Sequence, residues 1–202
     1  DVMKKNLLVV GSVICFVCFL VLAILVTMGS TTPFDTFVYQ GIQTIRIPEF
    51  WKFITHLGSF EVIVLFLVFI AIFWRQKKNS LFLILCMVME AALNFGLKFI
   101  FQRPRPSVLH LVEESGYSFP SGHAMTITSF GLLLIFFLWQ SKLSKSKKIL
   151  GSIFLGLLIL LVCLSRVYLG VHYASDILAG FLLGSAFSLF CCYFYLHQKK
   201  LS

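Results

Sequence analysis

Charge is what this sequence has least of. Only 8 of its 202 residues are acidic, and charged residues of both signs make up 12 %, about half the share of an average soluble domain. A chain so poor in charge cannot clothe a water-soluble domain of this size. Proline is scarce as well, at 5 residues, so little interrupts the apolar runs. Paired loop cysteines are missing: Cys15, Cys18, Cys86, Cys163, Cys191 and Cys192 all sit inside apolar runs, with no spacing suited to a disulfide framework or a zinc site. They read as small core hydrophobes. No basic stripe interleaved with exposed aromatics accompanies the net charge of +9, so nucleic acid is not the expected partner. No acidic cluster for a metal and no cofactor motif is present, and none is expected.

What is there is apolar. Hydrophobic residues make up 59 % of the chain and mean hydropathy is +0.95, which marks an integral membrane protein. The expected class is all-α, a polytopic bundle of six transmembrane helices over 6–29, 57–74, 81–101, 122–139, 149–169 and 174–196, forming one domain over 1–202. Met3-Lys4-Lys5 ahead of the first run resembles a signal peptide, but uncharged residues continue from Leu7 to Met28, longer than a signal core, which predicts a retained anchor. The loop over 30–56, with its stretch 41–48, Trp51 and Phe53, has the mixed character of short helices lying along the outer interface, or of a plain connector.

Lysine and arginine set the expected orientation. Lys4, Lys5, Arg75, Lys77, Lys78, Lys142, Lys145, Lys147, Lys148, Lys199 and Lys200 fall on one side if the chain alternates, and short basic loops stay cytoplasmic. Both termini are then inside a multi-pass cell membrane protein. Trp74 and Trp139 fall at the inner ends of their spans, where an aromatic belt would place them. The other side receives Arg46, Lys52, Lys98, Arg103, Arg105 and Arg166, and these cations need a reason.

Three polar stretches reach that outer side. Lys98 to Pro106 closes the third span, Ser118 to His123 opens the fourth, and Ser165 to Asp176 joins the fifth to the sixth. Each suits phosphate. Lys98 and Arg105 lie two helical turns apart and face the same way if the helix persists; an arginine fork matches phosphate oxygens. Pro120 suits the first turn of a helix, after which Ser121 and Gly122 would present N–H groups and a hydroxyl at a positive helix end. His172 and Asp176 are four residues apart, on one helical face, so the carboxylate can hold one imidazole nitrogen and leave the other free to attack. Gly170 lets the chain turn so that Arg166 and His172 converge. Which histidine attacks is not settled by composition; spacing favours His172, because His123 has no carboxylate at helical spacing. His56, His110 and His197 read as amphipathic side chains in a wet zone. Glu90, in mid-span, is either functional or bonded to a neighbouring helix.

At these residues the sequence resembles the type-2 phosphatidic acid phosphatase superfamily. Its three motifs are all present: Lys98 followed after six residues by Arg105-Pro106; Pro120-Ser121-Gly122-His123; and Ser165-Arg166, five residues, His172, three residues, Asp176. The motifs occupy only Lys98 to Asp176, and residues before Lys98 match in hydropathy alone. The resemblance, strongest to compact six-span bacterial members, implies a metal-independent lipid phosphatase acting through a phosphohistidine. It implies His172 as nucleophile, Asp176 as its orienting partner and His123 as acid, with Lys98, Arg105, Ser121, Gly122, Arg166 and also Ser165 on the phosphate. The implied substrate is phosphatidylglycerophosphate, or alternatively a polyprenyl diphosphate such as undecaprenyl diphosphate, phosphatidate or diacylglycerol pyrophosphate, met in the bilayer without an obligate protein partner. A lipid-binding or flipping protein would account for Lys98, Arg105 and Arg166. It would not account for His172 with Asp176, or for a second histidine at a helix start. Transfer of the phosphoryl group to an alcohol would share the first step.

Overall fold

The apolar runs become helices because nothing in lipid can satisfy a backbone N–H or C=O except the segment itself. A computed structural model describes residues 2–201 as eight helices: α1 (Val2–Thr27), α2 (Thr32–Gln43), α3 (Pro48–His56), α4 (Phe60–Phe73), α5 (Lys77–Phe101), α6 (Gly122–Gln140), α7 (Lys145–Tyr168) and α8 (Ala174–Leu201). Asp1, Ser202 and the side chains of Val2, Lys4, Lys199, Lys200 and Leu201 lie outside the described residues. Five helices, α1 and α5 to α8, are each long and apolar enough to cross a membrane.

The second expected span, 57–74, is a single helix only over α4, because Leu57 to Ser59 form a break at its start, where α3 and α4 meet at a 43° bend. Ser59 caps α4, its hydroxyl accepting from the Val62 N–H at 3.4 Å. The 14 residues of α4 rise about 21 Å, short of the roughly 30 Å of a hydrocarbon core, so the sixth candidate span is the bent pair. The expected interfacial stretch 41–48 is likewise interrupted, because Thr44 to Ile47 form the break between α2 and α3. These two short helices do more than lie on a surface. Trp51 of α3 is buried and stacks on Tyr168 of α7 at 5.4 Å between centroids, and Gln43 of α2 donates to the Tyr168 carbonyl at 2.6 Å. Phe53 stays exposed.

The core lies between α6, α7 and α8. Gly180 and Gly184 bring α8 onto the backbone of α6: a Cβ at Gly180 would stand 2.7 Å from the Ser121 carbonyl oxygen, and one at Gly184 2.8 Å from that of Met125. Small residues four apart permit such close approach in membrane helices. α1 rests on α8, with Ser12 Oγ donating to the Ala186 carbonyl at 2.7 Å, and turns Val10, Leu20 and Ile24 outward. Glu90 is fully buried and accepts from Thr126 Oγ1 of α6 at 3.2 Å, so it bonds a neighbouring helix. At the end carrying Arg75, Lys77 and Lys78, the bundle closes on Trp74, Phe82, Phe137 and Tyr195. The three polar stretches meet at the other end.

Candidate active site

The contact of α6 with α8 brings two of the three stretches together. Because Gly180 lacks a side chain, the Ser121 N–H reaches the Asp176 carbonyl at 3.1 Å. Ser121 is the N-cap of α6, its hydroxyl accepting from the Ala124 N–H at 3.4 Å. The expectation for Pro120 therefore needs correcting. It lies one residue before the cap, outside the first turn, and Ser121 spends its own N–H on α8. The amide N–H groups of the first turn, beginning at Gly122, remain the positive helix end. Ser165 also differs from expectation: it is fully buried and its hydroxyl donates to the Val162 carbonyl of the preceding turn at 2.6 Å, so it faces its own helix.

His172 and Asp176 meet, though not along one helical face as expected: His172 lies in the bend before α8 and Asp176 in the first turn of α8. Imidazole Nδ1 lies 3.4 Å from Asp176 Oδ2, and Nε2 lies 3.2 Å from Arg105 Nη1. A guanidinium can only donate, so Nε2 must accept and Nδ1 must carry the proton that faces the carboxylate. The lone pair of Nε2 thus points toward a cation. Burial, followed by the fields of Arg166, Arg105 and Lys98, holds the His172 imidazole well below its ordinary range, so it is neutral at pH 7. Gly170 makes the turn that delivers it, with φ of +77° and a Cβ position only 2.5 Å from the Leu109 carbonyl.

The cations arrive by different routes. Lys98 sits in the last turn of α5 and donates to the Tyr117 carbonyl at 2.6 Å. The helix does not persist to Arg105 as the two-turn spacing required, since Gln102 turns left-handed with φ of +46°. Arg105 is held instead by carbonyls, those of Gly116 at 3.1 Å, Ser115 at 2.7 Å and Val171 at 2.9 Å. Arg166 is 1 % exposed. Its Nη1 donates to Thr55 Oγ1 at 2.7 Å, its Nη2 bonds Glu114, and its Nε is buried without a partner. Glu114 spans the clamp, with one oxygen on Arg166 and the other 3.3 Å from Arg105 Nη2. The arginines are thus already arranged around two oxygens of one anion. His123, in the first turn of α6, has Nδ1 3.9 Å from Glu114 Oε1.

Two cavities adjoin there. One, of about 650 Å³, takes in Thr55, His56, Glu114, His123 and Arg166. The other, of about 530 Å³, takes in Lys98, Arg105, Gly122, His123 and His172, with Phe95, Phe99 and Tyr117 at its lip. Of the sequence candidates, Lys98, Arg105, Gly122, His123, Arg166 and His172 line these spaces. Asp176 stands behind His172 and Ser121 caps the helix beside it. Glu114, Thr55, Asp35 and Arg103 were not foreseen. Arg103 was visible only as an unexplained outer-side cation; Thr55 and Asp35 meet partners 111 and 140 residues away in the chain, and Glu114 reaches Arg166 across 52 as well as Arg105 across 9.

The chain is similar to known proteins. The family model for the PAP2 superfamily matches residues 79–200. The chain is 36 % identical over 177 residues to phosphatidylglycerophosphatase B of Bacillus subtilis, covering 84 % of this chain and 87 % of that protein. It is 30 % identical to an undecaprenyl-diphosphatase of Sulfolobus acidocaldarius, covering 73 % and 69 %. The crystal structure of a transmembrane PAP2-type phosphatidylglycerolphosphate phosphatase from Bacillus subtilis superposes with a TM-score of 0.85 at 32 % identity, covering 95 % of this chain and 98 % of that one. LpxE of Aquifex aeolicus gives 0.61 at 27 % identity, covering 79 % and 92 %. With all three motifs converging on one clamp and the family model matching well over half of its length, the chain belongs to the PAP2 superfamily.

Proposed function

We propose that this protein is a membrane lipid phosphatase that hydrolyses the phosphomonoester of phosphatidylglycerophosphate through a phosphohistidine. The observation that carries the reading is the pair of contacts on one imidazole: Nδ1 faces Asp176 and Nε2 opens onto Arg105 in a clamp that already encloses an anion. Nε2 attacks phosphorus, and the Nδ1 proton stays against Asp176, whose charge stabilises the imidazolium that forms. Arg105, Arg166 and Lys98 neutralise the equatorial oxygens, the main work in phosphoryl transfer. Substrate phosphate displaces the Glu114 carboxylate from the arginines. His123 gives its proton to the departing alkoxide and then takes one from the water that releases phosphate. No step requires a metal.

Phe95 and Phe99, 66 % and 53 % exposed, turn one cavity toward the lipid, which suits a substrate with its head at the surface and its tails in the bilayer. The basic residues at the opposite end favour both termini in the cytoplasm and the site at the outer face of a cell membrane. The whole 1–202 stretch then works as one catalytic unit without an obligate protein partner. The likeness to phosphatidylglycerophosphatase B supports the choice of lipid, and the undecaprenyl-diphosphatase relative makes that diphosphate the competing substrate. The test is phosphate release by detergent-purified protein from phosphatidylglycerophosphate, undecaprenyl diphosphate, phosphatidate and diacylglycerol pyrophosphate. A kcat/KM for phosphatidylglycerophosphate well above the others is expected. Preference for the diphosphate would move the protein to carrier recycling, and no release from any lipid would make it a binding or flipping protein.

A further inference from the structure

Behind the nucleophile, on the side away from the phosphate clamp, lies a third cavity of about 440 Å³ that takes in Asp35, Arg103, His172 and Tyr173. Its charged groups form a continuous chain. Arg103 Nη1 donates to Asp176 Oδ1 at 2.6 Å and to Ser175 Oγ at 2.8 Å, and Arg103 Nη2 donates to Asp35 Oδ2 at 3.0 Å. Asp35, on α2, is 5 % exposed and also accepts from the Ser175 N–H at 2.7 Å and Ser175 Oγ at 2.8 Å. The guanidinium lies over the Tyr173 ring, 3.9 Å from its centroid. The second oxygen of Asp176 serves the Tyr173 N–H at 2.9 Å and His172 Nδ1 at 3.4 Å.

A carboxylate is free to rotate about its last bond unless each oxygen has its own partner. Arg103 takes one oxygen of Asp176 and leaves the other for His172. Asp35 in turn occupies the far arm of the guanidinium. Without Asp35, both arms would be free to close bidentately on Asp176, drawing away the oxygen that His172 needs. We infer that Asp35 and Arg103 are positioning residues for the reaction, a buried pair that fixes the rotation of Asp176 and hence its hold on the Nδ1–H of His172, and that ties α2 to the nucleophile. The inference rests on the reading of His172 as nucleophile. Neither residue lines the cavities that hold the phosphate clamp, so they act through Asp176 and leave substrate binding to other groups.

The test uses the full chain in detergent, with Arg103→Met, Arg103→Lys and Asp35→Asn. Three measurements are made: steady-state hydrolysis of phosphatidylglycerophosphate, trapping of phosphoenzyme from ³²P-labelled lipid, and the ¹⁵N spectrum of the His172 ring. Arg103→Met and Asp35→Asn are expected to lose on the order of 10- to 100-fold in kcat, the usual cost of removing a group that orients a working imidazole from behind. KM should stay within about threefold of wild type, since uniform binding is untouched. Arg103→Lys keeps the charge without the fork and is expected to retain less than about a tenth of wild-type kcat. It carries the test if either neutral variant fails to fold. Arg105 keeps the Nδ1–H tautomer in all forms, so the ring should report an Nδ1–H strongly bonded to a carboxylate in wild type and a weakened bond in the variants, a change that general loosening of α2 would not produce. Wild-type kcat or an unchanged ring spectrum in folded Arg103→Lys overturns the inference, as does a loss confined to KM. If wild type carries label on His172 and the variants match it, this inference alone falls. If wild type carries no label there, the phosphohistidine reading falls and takes the inference with it.

Discussion

In the proposed mechanism His172 works because two neighbours divide its nitrogens between them. Its replacement by alanine should abolish the labelled phosphoenzyme; label that persists in His172→Ala would assign the nucleophile elsewhere. Asp176→Asn leaves the shape intact but removes the acceptor for the Nδ1 proton, so kcat should fall on the order of a thousandfold or more, as when a triad carboxylate becomes an amide. Substrate binding measured on the inactive protein should change little. Burial and the surrounding cations keep the imidazole neutral. Its nucleophilic form is therefore present at pH 7 and persists as pH falls through the ordinary histidine range near about 6.5. Loss of kcat from this group sets in only at lower pH. Arg105→Gln removes one of those cations, eases protonation and should move that acidic limb to higher pH, which a pH series of single-turnover label formation would detect.

At the scale of elements, the site depends on how closely α8 lies against α6. Gly180 is the contact, with the Ser121 carbonyl oxygen 2.7 Å from where a Cβ would be. Gly180→Val must push the helices apart, costing about 1–3 kcal/mol in overpacking and separating Asp176 from Ser121. A lowered Tm in detergent together with loss of phosphate release is expected; an unchanged Tm would mean that the helices have room to yield. The segment between α5 and α6 supplies the other adjustable part, since it carries Glu114 into the clamp. Glu114→Gln removes the carboxylate that competes with substrate for Arg105 and Arg166. Its dissociation constant for inorganic phosphate, read by titration, should drop several-fold. The apolar periodicity found α1 and α5 to α8 within a few residues, and the Lys98, Arg105, His123, Arg166 and His172 side chains fell where their motifs led. It also placed α4, but not α3 ahead of it or the bend that joins the two, because hydropathy reads the mixed composition of 48–56 equally as a helix or as a connector.

At the scale of the molecule, the proposed site lies at one end of a bundle whose other end is basic and aromatic. If the cations of Arg105, Arg166 and Lys98 supply all the charge compensation, a chelator should leave phosphate release by purified protein unchanged. Loss of activity on chelation, restored by a divalent cation, would require a metal in the clamp. Protease protection of tagged termini in oriented membrane vesicles would check that both lie in the cytoplasm.

Hydropathy and charge, which depend only on local composition, were sufficient to predict a membrane bundle, and the motifs were sufficient to pick out residues that the fold gathers at one end. The His172 and Asp176 pairing was legible from their closeness in the chain, although the contact is made across the start of α8 and not along a helical face. What binds the site from a distance was not legible. Asp35 meets Ser175 across 140 residues, Arg103 meets Asp176 across 73, and Arg166 meets Thr55 across 111. Such pairs have no period and no spacing, since they depend on which helix ends the packing of glycines and apolar side chains brings together. The tertiary structure alone decided that a carboxylate from the α5–α6 segment lies between Arg105 and Arg166 and that a short helix from the first loop reaches Ser175 and Arg103 beside Asp176.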